Sequence, residues 1–208
     1  MNKNNSPYIA ALTGGGFLFE ETLLLLPLLL AENSEALLQE EKVNNHLLHI
    51  NAESSRKKVI TEIRRRFQVV HISFWNDFIK MSDGDKVVAL FYVILKTYKI
   101  CFDLHVNVTM RKWNSISKSI DKEDLMMEFN EISAKDDFVD SWSDSTKGKV
   151  AGTYLTILRK AGMLDRNNHL HSLTCDNYGY YLAKREPWFL EACLLQPYEI
   201  NNIKKSMI

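Results

Sequence analysis

The sequence predicts a mainly α-helical protein: a helical N-terminal domain over residues 1–114, and a winged-helix-like C-terminal domain over 122–208 with a small β-hairpin. Three observations lead there. Apolar residues recur every three or four positions through the first two thirds, as in Val59, Ile60, Ile63, Phe67 and Val70, the period of a helix with one buried face. From Val87 to Phe102 apolar side chains occupy nearly every face, the pattern of a helix enclosed by others. Beyond a Ser-rich, charged stretch at 115–122, three helix signals precede two short extended pieces around a turn, the element order of a winged helix.

Residues 1–7 are polar and read as loose. Leu12-Thr-Gly-Gly-Gly16 is a turn, and a helix follows from Phe17 to about Leu30, bent or restarted at Pro27, since proline removes an amide donor. The Leu23–Ala31 run inside it is nine residues long and bordered by Glu20, Glu21 and Glu32. A bilayer needs about 20 apolar residues, so no membrane insertion is expected. Only Lys3 precedes the run, too little for the basic start of a signal peptide.

Ser34 caps the next helix, which extends to about Leu48, with Asn44, Asn45 and Asn51 at its exit. A basic helix spans Glu53 to Val70, and Phe74 to Met81 is a short helical or irregular piece. Ser82-Asp-Gly-Asp85 is a helix-start signal in front of the long apolar run. In the C-terminal half, Lys122–Ala134 turns Leu125, Met126, Phe129 and Ile132 inward, and Asp136–Ser141 forms a shorter helix. Ser143-Asp-Ser-Thr146 opens a third helix that stops at Gly162, a C-terminal glycine. Met163-Leu164 and Leu170-x-x-Leu173 then flank the tip Asp165-Arg-Asn-Asn168.

Lys plus Arg and Asp plus Glu are each 26, so the net charge is zero and a uniformly basic binder is excluded. The charge is uneven, however. Residues 1–50 hold six acids against two bases and 121–144 hold nine against two, whereas Ser54–Arg66 packs six cations with one anion. Further cations gather between Lys96 and Lys118 and over 147–185. A local positive field of this kind suits a polyanion, above all nucleic acid.

The third C-terminal helix has a face for such a partner. Val150, Tyr154, Ile157, Leu158 and Ala161 form its core side, and Lys149, Thr153, Thr156 and Lys160 share the opposite side, with short polar and long basic side chains that reach phosphates and base edges. Gly148 and Gly152 remove bulk from it, and Arg166 stands at the hairpin tip, where a wing meets a phosphate strand.

Other chemistry lacks a signature. Gly14-Gly15-Gly16 follows no phosphate-loop pattern. His169, His171 and Cys175 have no second ligand pair at zinc spacing. Asp136, Asp137 and Asp140 lack the Glu-x-Lys partner of a nuclease and serve as an acidic helix start. No catalytic signature is present. The expectation is therefore no enzyme, no cofactor and no metal. The odd set Cys101, Cys175 and Cys193 implies free thiols in a reducing cytoplasm.

Taken together, several segments resemble the BrxA family of bacterial BREX phage-defence systems. They are Tyr8 with Thr13-Gly-Gly15 and Glu20-Glu21, Asn45 with Leu47-Leu48, Ser55-Arg-Lys57, Arg64 to Phe67, Trp142-Ser-Asp-Ser-Thr146, and Tyr154 to Leu164. The resemblance covers almost the whole chain. It implies a small helical protein with helix-turn-helix-like or winged-helix modules that binds DNA without catalysis, beside other BREX components. The sequence departs from such relatives in its polar Ser115–Asp121 segment and short C-terminal tail.

The expected partner is double-stranded DNA, held through phosphate contacts by Arg56, Lys57, Lys58, Arg64 and Arg65 from one module. From the other come Lys147, Lys149, Arg159, Lys160 and Arg166, with Thr153 and Thr156 facing the groove. A protein scaffold or adaptor using the same charged segments, or an RNA-binding helical protein, are the alternatives. The sequence leaves the oligomeric state open.

Overall fold

A computed structural model describes residues 5–207. Helix accounts for 67% of the chain and strand for 2%, so the mainly α expectation holds. Of the segment read as loose, residues 1–4 lie outside the described residues. Ser6 and Tyr8 are tied down: Ser6 Oγ donates to Asp136 at 3.1 Å and the Tyr8 hydroxyl to Asp103 at 2.7 Å.

A 3-10 turn, Ala10–Gly14, leads to α1 (Phe19–Leu30). Helix α1 runs unbroken through Pro27, whose ring lies on the exposed side of the helix. Helix α2 (Ser34–Asn44) ends four residues earlier than the sequence suggests. The cause is Glu41, 3% exposed, whose carboxylate accepts the amides of His46, Leu47 and Leu48 and draws that segment out of the helix. Asn45, in the left-handed region at φ 57°, makes the turn.

Next come α3 (Glu53–Val69), α4 (Ile72–Phe78) and α5 (Asp83–Thr97). Ser82 caps α5 by accepting the Asp85 amide at 3.2 Å, as its spacing predicts. The central apolar run is not one helix. It breaks at Tyr98, buried with an extended backbone, and resumes as α6 (Lys99–Leu104), a π-turn (His105–Thr109) and α7 (Met110–Trp113).

In the C-terminal half, α8 (Lys122–Ser133) starts with an Asp121/Asp124 capping box, and α9 (Asp137–Asp140) follows. Helix α10 (Asp144–Ala161) is capped by Ser143 and ended by Gly162 at φ 84°. Three short pieces then meet. The His171 amide donates to Met163 at 2.9 Å and the Asp165 amide to His169 at 3.0 Å. Ile120 donates to Asn168 at 3.1 Å, and Leu170 to Lys118 at 2.7 Å. The stretch read as a boundary thus pairs with the tip, and Ile120 is 1% exposed. Helices α11 (Gly179–Ala183), α12 (Trp188–Ala192) and α13 (Pro197–Ser206) finish the chain.

The core centres on α5, whose residues from Val88 to Leu95 are all buried. One hydrophobic cluster extends from Leu12 through α5, Phe129 and Tyr154 to Ile200, so residues of 1–114 and 122–208 share it. A second cluster joins α1, α2 and α3 through Leu25, Leu38, Ile60 and Ile63. No described helix is long and apolar enough to cross a membrane.

A buried polar chain pins α10 to this core. His105 Nε2 meets the Ala192 carbonyl at 2.8 Å, which makes Nε2 the donor, so Nδ1 accepts from the Tyr154 hydroxyl at 2.9 Å. Thr109 donates in turn to Tyr154 at 2.7 Å. Burial pushes the imidazole down from 6.5 to about 4. The unfolded chain therefore takes up this proton first, and stability falls as pH drops from above 6.5 through about 4. The expected loss from this group is roughly 3 kcal/mol. Urea unfolding at pH 7 and pH 4.5 measures it: the difference shrinks in His105→Gln if this account is right and stays unchanged if it is wrong.

Candidate nucleic-acid interface

Helix α3 does not present all its cations to solvent. Arg56 is 5% exposed and donates to the carbonyls of Lys42 at 2.9 Å, Ile50 at 2.6 Å and Val43 at 3.3 Å. It fastens the loop that Glu41 holds from the other side, so its donors are spent inside the fold. Arg66 is 1% exposed and donates to the carbonyls of Phe17 at 2.8 Å and Gly16 at 2.5 Å, with Nε 3.2 Å from the Tyr98 hydroxyl. Tyr98 donates to Glu62 at 2.7 Å.

Of the other four cations of α3, Lys57 and Lys58 are exposed and Arg64 and Arg65 are half-buried. Lys57 pairs with Glu53, Arg64 with Glu35 at 2.5 Å, and Arg65 with Glu62 at 3.4 Å. Lys58 has no ion pair among the described residues. Exposed pairs of this sort are weak, so Lys57 and Arg64 can exchange a carboxylate for a phosphate.

Helix α10 behaves as its spacing predicts. Val150, Tyr154, Ile157 and Leu158 are fully buried, while Lys149, Thr156, Arg159 and Lys160 are exposed and Thr153 half-exposed. Lys147 differs. It is 7% exposed, on the inward side with Val150 and Ala151. Both threonines donate to the carbonyl one turn back, Thr153 to Lys149 and Thr156 to Gly152, each at 2.9 Å. Their oxygens remain free to accept. Gly152 costs the helix about 1 kcal/mol relative to alanine.

At the tip, Asp165 Oδ1 accepts the amides of Asn167 at 2.8 Å and His169 at 2.9 Å, shaping the turn. The His169 amide, with the His171 ring and Asn167 amide, holds the Asp165 carboxyl below its usual range. Arg159 donates to Asn168 at 2.7 Å and so joins α10 to the tip, beside exposed Arg166. Lys149, Arg159, Lys160 and Arg166 have no ion pair among the described residues.

The glycine turn lies between the two cationic helices. Arg66 holds it from the α3 side, and on the α10 side it forms a cleft of ≈ 400 Å³ with Lys149, Gly152, Thr153 and Thr156. A neighbouring cleft of ≈ 450 Å³ extends past Lys160 to Glu20 and Glu21. Among the described residues, no group of three or more His, Cys, Asp or Glu could hold a metal ion.

The BrxA family model matches residues 6–177, well over half of the chain. The chain belongs to the BrxA family. Membership makes this BrxA-family protein a component of a BREX phage-defence system. In fold it is similar to an uncharacterized protein from Magnetospirillum magneticum, known from a crystal structure, with a TM-score of 0.75 at 19% identity. That likeness covers 90% of this chain and 98% of the other. Among curated proteins none matches.

Sequence reasoning missed Arg66, Glu62 and Glu41, which position the glycine turn and the α2–α3 loop. A signal was present for the arginines. Arg56 and Arg66 fall on the helical line of Ile60 and Ile63, the buried stripe of α3. Lys147 likewise precedes Val150 and Ala151 on the buried side of α10.

Proposed function

We propose that this BrxA-family chain is a non-enzymatic, largely sequence-tolerant DNA-binding component of its defence system, working in the cytoplasm. The observation that carries the reading is the set of exposed, unpaired cations on α10 and the tip beside it: Lys149, Arg159, Lys160 and Arg166. Lys58, Lys57, Arg64 and Arg65 add a second contact region on α3. Arg56, spent on the α2–α3 loop, and Lys147, buried on the inner side of α10, are not part of this surface. The order α8, α9, α10 and then paired pieces at 163–164 and 170–171, joined by 118–120, supports a winged-helix-like reading in which the turn at Asp165–Asn168 is the wing.

Phosphate neutralisation releases counterions, so binding weakens steeply with salt. With four phosphate contacts the slope of log affinity against log salt is about −3.6, a loss of roughly 100-fold between 50 and 200 mM. A gel-shift series on duplex DNA across that range checks it. Absence of a shift at 50 mM, or a flat response, overturns the reading.

A second reading has its own observation. In it the basic helix α3, where Lys58 has no ion pair among the described residues, docks an acidic partner subunit. That adaptor role gives co-purification with a partner and no DNA shift. Competition between duplex DNA and structured RNA separates the two nucleic acids.

A further inference from the structure

The glycines on α10 and in the turn facing it differ in what explains them. At Gly15 a Cβ would lie 2.7 Å from Leu18, and at Gly148 it would lie 3.1 Å from the Lys122 ammonium. Neighbours inside the protein account for both. Gly152 sits in the middle of the 18-residue α10, and a Cβ there would meet nothing within 4 Å. Gly16 needs glycine for its φ of 61°, and above it too nothing lies within 4 Å. Gly16 and Gly152 line the same cleft of ≈ 400 Å³, which Lys149 borders without a carboxylate partner among the described residues.

We infer that this cleft, between the Thr13–Gly16 turn and α10, seats the sugar–phosphate backbone of one DNA strand, with Gly152 as its floor. The inference rests on the DNA-binding reading above and adds the N-terminal turn as the second wall of the site. Charge selects the occupant. Lys149 neutralises a phosphate in this cleft, whereas Glu20 and Glu21 line the neighbouring cleft past Lys160 and repel one there. The strand is thus held beside Lys149.

Width selects the mode of contact. A helix with its side chains is about 10–12 Å across, and the major groove is about 12 Å wide. With the glycine turn alongside, this part of α10 is too broad to enter the groove. It meets a strand's backbone instead of base edges, in keeping with sequence-tolerant binding. The wall is rigid because buried Arg66 holds the Gly16 and Phe17 carbonyls from behind.

The test uses the full chain, a fluorescent 20-base-pair duplex at 50 mM salt, and a thermal melt of every variant. Gly152→Leu fills the floor but improves the helix, so its thermal midpoint rises by about 2–4 °C while affinity falls at least about tenfold. Thr13→Glu changes the opposite wall, at an exposed position, and gives up only the Thr13 hydroxyl's bond to the Ala10 carbonyl. It gives a similar loss of affinity with a midpoint lowered by no more than about 4 °C. If the parent binds and both variants bind equally well, the cleft assignment is wrong and DNA binding stands. If Gly152→Leu fails to fold, Thr13→Glu decides alone. If the parent itself does not bind, both the cleft and the DNA reading fall.

Discussion

Reversing Lys149, Lys160 and Arg166 to glutamate together is expected to abolish the shift of duplex DNA at 150 mM salt. The folded state should be unaffected. All three side chains are exposed and none has an ion pair among the described residues, so their replacement breaks no ion pair within the protein. Surface changes of this kind cost within about 0.5 kcal/mol each. Three phosphate contacts account for about 2.7 of the salt slope. Their loss should lower the slope by about that amount, leaving what Arg159 and α3 contribute, and the added negative charge opposes the attraction that remains. Reversal of Lys57 and Arg64 gives a smaller effect, because Glu53 and Glu35 already offset those charges. Retention of parental affinity and slope by the triple variant would sink the α10 assignment.

The second large effect is on stability. Arg66→Ala removes the donors from the Gly16 and Phe17 carbonyls and the cation beside the Tyr98–Glu62 pair. Glu62 is 5% exposed and keeps Tyr98 and Arg65 as partners. Breaking a buried charged network in this way costs about 3–5 kcal/mol, or a drop of roughly 10 °C in the thermal midpoint for a chain of this size. Arg66→Lys keeps the charge but lacks the fork that reaches two carbonyls at once, so it should recover only part of the loss. A melt of the three proteins measures this. A midpoint within 2 °C of the parent for Arg66→Ala would falsify the role given to the network.

Local signals made much of this fold readable. Ser82 and Ser143 cap helices where their spacing says, and Gly162 ends α10, because caps act within four residues of themselves. The inward and outward faces of α10 were equally plain. Glu41 escaped notice because a carboxylate that gathers amides five to seven residues away follows no helical period. Arg56 and Lys147 misled because charge outweighed position, although each lies on its helix's buried line. The five-residue helices α11 and α12 are too short for periodicity to reveal, and aromatic packing maintains them, as between Tyr181 and Phe189. That the glycine turn meets α10 at all is a tertiary fact, since some 130 residues separate them in the chain.

The His105–Tyr154–Ala192 chain also bears on the order of events during folding. Its two bonds close loops of 49 and 87 residues. Contacts so distant along a chain form after the local helices and lower the folding rate, since loop closure must precede any gain from them. Until they form, Tyr154 and its apolar neighbours on α10 have no partner from the π-turn or α12. In kinetic terms, the docking of α10 against the π-turn and α12 is expected to be a late step, since both flanks must reach it together. That interval is when part of the inner face of this helix, whose outer face is the proposed DNA surface, is open to wrong associations.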